Sequence, residues 1–591
     1  MIDQLLPWLA AIFSLLLAYP WVRWLLILPA RRDNPQPRDP LLTLLLTVGL
    51  SLGALTWLMM LLAALAPALL SFWRVTALGL IVHLTGWAAW QRRPVKPRPL
   101  RPADAGWWRR PVPLTALIIV LVLVGLTLFN AAYWPFGEDD TLTIYGPVAF
   151  RFATTGQFSG AGLYDAYPVL GPLAFAYVHL AAGVPNEYAA RFVVAALALV
   201  TVGGAYVLGR DLYGRAVGLT AAFLTITTPI LTHWAASGYT DLPAGAYYVL
   251  TAVAAWRLFT RPHPAYAALT GLLAGLAAFT KNGALLLVGS LVGWVLYSYW
   301  VTWRRSSAEG WPIRGRHAAL MAGAFALIAG PWYGHTLLSF GYLVPPTGWI
   351  DQAQHTLAAL FAPLLNFRNF MLGGLLSIPG MAAMLWELWR SRWHFAPRPA
   401  LLVGFSLPFW GVWWWFFSYD PRFLLMIWPL LAVMSGWLVV TIWRWLPERG
   451  QRLVLRALPF VLIVLALPAA RMAVDHKPDI LRDPFMDDLA RHRVQLGERY
   501  DVARWLQDET PPDAAILLSD YWLYYHVLLS HPDVTFWPTV ERDALAAFDY
   551  WVVRPDLPLP DWADAETVRP VFEAGGYIVY EVLLPEPDEV E

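Results

Sequence analysis

Three consecutive acids, Glu138, Asp139 and Asp140, follow closely on an apolar run over 113–134 that is long enough to cross a bilayer. Carboxylates placed there can take a proton from a hydroxyl, and adjacent carboxylates raise one another's pKa, which tunes a general base. Few other ionisable groups stand at the same ends of the apolar runs. They are Asp165, Asp241 in YTDLP, Lys281 in FTKNG, His335 in PWYGH, Asp351 and His355 between 337 and 366, and Asp420 with Arg422 in YDPRFLL. Charged groups at membrane depth or at its edge are costly, and so tend to be paired or functional. A lysine and an arginine at the depth of the acids can hold a phosphate and stabilise charge developing on a leaving group. The two sets are the halves of a transfer reaction, a base for the incoming hydroxyl and cations for the departing phosphate. Two ordinary alternatives stay open. Lys281, one of three lysines in the chain, fits a snorkelling residue, and the acids fit the solvated start of a helix beginning in TLTIYGPVAFRFA.

The elements that must position these groups are membrane helices. Mean hydropathy is +0.49, and only 14% of the 591 residues are charged while 34 are Trp. That composition sets aside a wholly soluble protein and marks an all-α polytopic membrane protein. Apolar runs long enough to span lie over 4–29, 41–64, 68–90, 113–134, 187–209, 215–233, 240–259, 264–280, 283–303, 317–336, 367–389, 399–418, 422–446 and 456–472, about 14 transmembrane helices. The opening MIDQLLPWLAAIFSLLLAYP lacks a basic n-region and a small-residue cleavage site, so it reads as a retained helix. With Cys 0, disulfides, thiolate metal sites and thiol nucleophiles are excluded. No internal repeat and no matched pair of Gly/Pro-broken spans appears, which weakens an inverted-repeat transporter.

Basic residues collect in alternate loops: Arg92 to Arg110, Arg210 and Arg215, Arg257 and Arg261, Arg304 to Arg316, Arg390 to Arg398, and Arg444 to Arg456. By the positive-inside rule these face the cytoplasm, and the acid triplet faces outward. The count holds only if 167–183 (YPVLGPLAFAYVHLAAG), short and broken by Pro168, Gly171 and Pro172, does not cross. It is expected to be an interfacial or re-entrant helix inside one large outer loop over 135–186. A plain short span is the alternative, and it would put RDLYGR outside.

Three regions follow. Residues 1–112 are a three-helix membrane segment with a Pro- and Arg-rich linker, 113–472 a membrane domain, and 473–591 a soluble outer domain. The last carries 25 acids against 9 basic residues, with helix-like YDVARWLQDE and ERDALAAF alternating with strand-like AAILLS, YWVVRP and YIVYEVL. It is a small α/β domain, placed to cover an outer cavity or help select an acceptor. The linker reads as an extended tether near anionic headgroups, the PEPDEVE end as disordered, and His526 and His531 as surface residues.

GEDDTLTIYGPVAFRFATTGQFS resembles the first outer loop of the GT-C-fold glycosyltransferases that use polyprenyl-phosphate sugars, the superfamily of protein O-mannosyltransferases, the lipid A aminoarabinose transferase and rhizobial lipopolysaccharide glycosyltransferases. The likeness continues through YPVLGPLAF, YTDLP, GLLAGLAAFTKNGALLLV, PWYGHTLLSFGYLVPP and YDPRFLLMIWPLLAVMSG, in the order of that family, over about 113–446. It implies an integral-membrane enzyme moving a hexose or pentose from a polyprenyl-phosphate donor to an extracytoplasmic glycan, lipid or protein hydroxyl, usually with inversion. It also implies Asp140 as catalytic base with Asp139 as close second, Asp241 as a second acid orienting acceptor or base, and Lys281 and Arg422 as ligands of the donor phosphate. Glu138, Tyr145, Asp165, His335 and His355 would support the site or the acceptor. The chain departs from the family pattern at Val169, at Ile144 and Tyr145, and at Asn282, which bears on the acceptor.

No cofactor and no metal ligand is assigned, although the triplet could offer oxygen ligands to a divalent metal. The expected partners are the lipid-linked donor, the acceptor and the bilayer, with no nucleic acid, in the plasma or inner membrane. Two other functions remain open: a transporter or flippase of lipid-linked sugar, with Lys281 and Arg422 binding phosphate, and an inactive assembly partner of an envelope-glycan complex.

Overall fold

In the computed structural model the described residues are 2–29, 39–92, 106, 110–159, 165–304, 313–345, 351–392, 396–474 and 479–585. Most of the linker, the arginines 304–316 in part, and nearly all of PEPDEVE lie outside them. Every one of the expected apolar runs is helical, as a backbone in hydrocarbon must be to close its own hydrogen bonds. Among the described residues, eight helical segments are long and apolar enough to cross a membrane, or nine if Arg215–Ile226 and Pro229–Ala236, bent by 67°, form one span. That is fewer than the 14 expected. The other runs make shorter or less apolar helices such as Pro264–Thr280 and Asp241–Thr260, buried along nearly their whole lengths by neighbouring helices. A helix screened by protein needs no continuous apolar surface.

The segment over 167–183 forms the helix Leu170–Ala182. Its 13 residues rise about 20 Å, short of the roughly 30 Å of hydrocarbon. It packs among Ile2–Leu16, Pro40–Leu65, Gly146–Thr155 and Glu187–Ala198, and its residues are buried all round. Of the two forms expected for it, an interfacial helix would keep one face among headgroups, which this burial does not allow, while a short helix that stays within the bundle without crossing agrees with its length.

Charges separate to the two ends of the bundle. At one end Arg210 and Arg257 share Asp39 and Asp211, with contacts of 2.6, 2.8, 2.8 and 2.9 Å. At the other end Asp241 opens the helix Asp241–Thr260, which also carries Arg257. Sixteen residues of helix between them amount to about 24 Å. Arg210 and Arg257, from two of the basic loops, thus gather at one end, with Asp241 and Lys281 at the other.

The C-terminal region is an α/β domain. Its strands β1 (Ile516–Leu518), β2 (Val534–Phe536), β3 (Tyr550–Val553), β4 (Val568–Ala574) and β5 (Tyr577–Val582) form one sheet in the order β2-β1-β3-β5-β4. β1 pairs parallel with β2 and β3, while β5 pairs antiparallel with β3 and β4. Val502 and Leu506 of the helix Arg499–Glu509 share a core with Ile516 and Leu518. Tyr525 and Leu496 belong to the core of the membrane domain instead, so the two regions are packed together. His526 and His531 are buried, not exposed. His531 is held by Thr510 and Ser530, each 2.9 Å away, and His526 lies among the rings of His492, Tyr500 and Tyr525. Polar sequence context around these histidines conceals a domain contact.

Candidate active site

The acids begin a helical segment, as their types favour. The Glu138 carbonyl accepts from the N–H groups of Thr141 and Leu142 at 3.1 and 3.0 Å. Residues Thr141–Tyr145 then make one π-helical turn before the helix Gly146–Thr155, a widened turn of the kind found at functional sites. The Asp140 carboxylate does not cap this helix. It faces Arg422, with Nη1 at 3.2 Å.

Three hydrogen bonds clamp this loop to the YTDLP turn. The Asp140 N–H donates to the Tyr239 hydroxyl (2.8 Å), Thr141 Oγ1 donates to the Ser237 carbonyl (3.0 Å), and the Tyr145 and Thr240 hydroxyls are paired at 2.9 Å. The turn in turn presents Asp241, which is fully buried. Lys281, at the end of the helix Pro264–Thr280, puts Nζ 2.6 Å from Asp241 Oδ1. Arg422 completes the cluster, with Nε 3.2 Å from Asp420 and 3.8 Å from Asp241. Its guanidinium also lies 5.0 Å from the Trp234 ring and 4.6 Å from that of Tyr239. These ring faces fix its plane and favour its charge.

A cavity of about 920 Å³ opens on this cluster. Asp139, Asp140, Tyr145, Lys281 and Arg422 line it. Tyr521, Tyr524 and Phe536 close it from the C-terminal domain. Burial pushes the Asp139 carboxyl up to about 6, helped by the Asp140 charge beside it and opposed by Arg422. Burial raises Asp140 as well, against the pull of Arg422 and Lys281. The cavity therefore holds carboxylates of raised basicity beside fixed cations.

Not every expected residue reaches this cavity. Glu138 turns away to His233, at 3.4 Å, so the triplet does not converge as a set of oxygen ligands. Asp165, His335 and His355 do not line the cavity. His335 is exposed against Ser339, Phe158 and Trp332, and His355 binds the Trp415 carbonyl at 2.8 Å. Asp165 lies close enough to influence Tyr524. Other lining residues were missed: Arg151, with a buried Nε that has no hydrogen-bond partner, and the aromatic wall from the C-terminal domain. Arg151 did carry a signal, being the one Lys or Arg in 135–186. The aromatic wall carried none, because its residues are far from the acids in sequence.

Residues 167–332 match the sequence profile of the dolichyl-phosphate-mannose-protein mannosyltransferase family. The fold is shared with ArnT from Cupriavidus metallidurans bound to undecaprenyl phosphate, at TM-score 0.56 and 15% identity over 78% of this chain and 97% of that one. The apo state of the same enzyme aligns at TM-score 0.52 and 16% identity, over 81% and 98%. The chain shares the fold of ArnT and, over 167–332, the profile of that mannosyltransferase family. No curated protein sequence matches it. The matched segment carries Asp241 and Lys281, whereas Asp140 and Arg422 lie outside 167–332. The cluster thus joins residues within the segment to residues flanking it on both sides.

Proposed function

We propose that the protein transfers a sugar from a polyprenyl-phosphate donor to a hydroxyl on the extracytoplasmic face of the cell membrane, with inversion. The observation that carries this reading is that Asp140, Lys281 and Arg422 line one cavity, with Asp140 paired to Arg422 and Lys281 held by the fully buried Asp241. Asp140 is the base. Its carboxylate takes the acceptor proton while the acceptor oxygen attacks the anomeric carbon, and the bond from that carbon to the phosphate oxygen breaks. The electron pair leaves with polyprenyl phosphate, whose charge Lys281 and Arg422 hold. Arg422 touches Asp140, Asp241 and Asp420, so a donor phosphate competes for it. Donor binding would then loosen Arg422 from Asp140 and leave that carboxylate for the acceptor. Asp241 sets the position of Lys281. The likeness to a structure holding undecaprenyl phosphate supports a lipid-phosphate donor.

The test is turnover with a polyprenyl-phosphate sugar, read as release of polyprenyl phosphate coupled to a glycosylated product. Asp140→Asn should lose about 10²- to 10⁴-fold in rate, the range of general-base catalysis, while still binding polyprenyl phosphate. Undiminished turnover in that variant would remove Asp140 as base. Transport of lipid-linked sugar without donor cleavage by the wild type would favour a flippase.

A further inference from the structure

Behind the acid loop, on the seam between the membrane and C-terminal domains, Glu187, His492 and His526 bring one ligand atom each within 4.8 Å of one another. All three are more than nine-tenths buried, at 7%, 5% and 6% exposure. Glu187 Oε1 lies 3.6 Å from His492 Nε2 and 3.9 Å from His526 Nδ1. Donors around a tetrahedral ion with bonds of 2.0–2.1 Å sit about 3.3 Å apart. The two Glu187–histidine separations are within about 0.6 Å of that value, and the set as a whole lies within 4.8 Å.

The surroundings are those of a ligand site. His492 Nδ1 meets the Asp488 carbonyl at 2.8 Å, the outer contact that fixes a ligating imidazole and leaves Nε2 for a metal. Glu187 Oε2 accepts the Phe136 N–H at 2.5 Å, which orients the carboxylate and frees Oε1. Two buried polar atoms have no hydrogen-bond partner, His526 Nε2 and the Tyr525 hydroxyl, on adjoining rings 5.2 Å apart. Burying such atoms unpaired is costly.

We infer that Glu187, His492 and His526 form a site for a divalent metal of the zinc class, a clip that holds the C-terminal domain against the membrane domain. Two imidazoles and one carboxylate suit zinc and its transition-metal neighbours, whereas magnesium and calcium take oxygen ligands. The three donors come from three elements: the helix Glu187–Ala198, the helix Asp488–Leu496 and the helix Tyr524–Leu528. Because Glu187 also holds Phe136, the clip anchors the chain just before the acids at 138–140. A glycine stands between them for a related reason. A Cβ at Gly137 would lie 2.0 Å from the Gln495 side chain of the C-terminal domain.

The experiment is metal analysis of the full-length protein, purified without a polyhistidine tag, with melting measured after chelation and after zinc is added back. About one equivalent of zinc per chain is expected in the wild type, falling roughly tenfold in His492→Ala and in His526→Ala. Zinc should raise the melting temperature of the chelated wild type and leave both variants unmoved. If the variants fail to fold, cobalt added to the chelated wild type decides, through the visible absorption of a tetrahedral site. A wild type that holds no stoichiometric metal, gains no stability from zinc and shows no cobalt band would overturn the inference and leave Glu187–His492 a plain ion pair.

Discussion

Replacing Asp241 by Asn separates the structural work of the cation cluster from its work on phosphate. Asp241 is fully buried, with Lys281 Nζ at 2.6 Å and Arg422 Nε at 3.8 Å. At an effective dielectric of about 20 those separations correspond to attractions of about 6 and 4 kcal/mol. Dehydration of a carboxylate with no water contact offsets much of this, and removing one member of a buried ion pair costs about 3–5 kcal/mol. Asn keeps the shape and can still accept from Lys281, so the loss should fall at the lower end, about 3 kcal/mol. The same change leaves two cations facing a cavity with one counter-ion fewer. A phosphate entering there no longer competes with Asp241. Melting of wild type and Asp241→Asn in detergent, with and without undecaprenyl phosphate, therefore has a crossed expectation. The variant should melt well below the wild type alone, and the lipid phosphate should stabilise the variant more. Equal stabilisation of both proteins would refute the reasoning, because it would mean that the phosphate does not meet Lys281 and Arg422.

Asp139 offers a test in pH. Its carboxyl stands at about 6 in the folded protein against an ordinary 3.8, so folding favours its protonated form, and the stability it contributes is lost as pH rises from about 4 through 6. Asp139→Asn should thus melt above the wild type at pH 7.5, with the difference closing by pH 4; a difference constant across that window would remove Asp139 as its source. Tyr521→Ala, at the cavity wall, should raise the KM for acceptor and leave donor binding unchanged, measured by steady-state turnover. Sidedness is open to labelling, since the chain has no cysteine of its own. Val184→Cys should react with an impermeant maleimide from the extracytoplasmic side and Arg261→Cys should not, whereas the reverse would invert the whole arrangement.

The contrast between Asp140 and His526 shows what sequence carries and where it stops. Asp140, Asp241, Lys281 and Arg422 were recoverable because hydrocarbon is intolerant: an ionisable residue at a helix end stands out against apolar runs, and loop charge sorts it to a side. Glu138 and His335 satisfied the same criteria and do not reach the cavity. A one-residue step along a helix turns a side chain by about 100°, and spacing alone does not say which of three neighbouring acids faces inward. Buried helices blurred the span count for a similar reason, since Asp241–Thr260 faces protein along its length and need not look like a lipid-facing segment.

The C-terminal domain was legible as strands and helices but not as a wall of the active site. Tyr521 and Phe536 are polar-face aromatics in sequence; they become cavity lining only because Tyr525 inserts into the core of the membrane domain. Such docking is a long-range contact with no local pattern. Its physical trace is instead a set of buried polar groups that make sense only across the seam: Glu187 against His492, and Tyr188 against Asp488. A membrane helix that places a carboxylate and a phenol at the same end, both met by one soluble helix, is built to be covered there. Opening and closing of that cover would expose a buried acid to water, so the domain is better suited to staying in place while substrates enter from the lipid side than to acting as a lid. Tethering it by a crosslink across Val184→Cys and a nearby cysteine on the helix Asp488–Leu496 should then leave turnover intact, and loss of turnover on crosslinking, restored by reduction, would show that the domain must move.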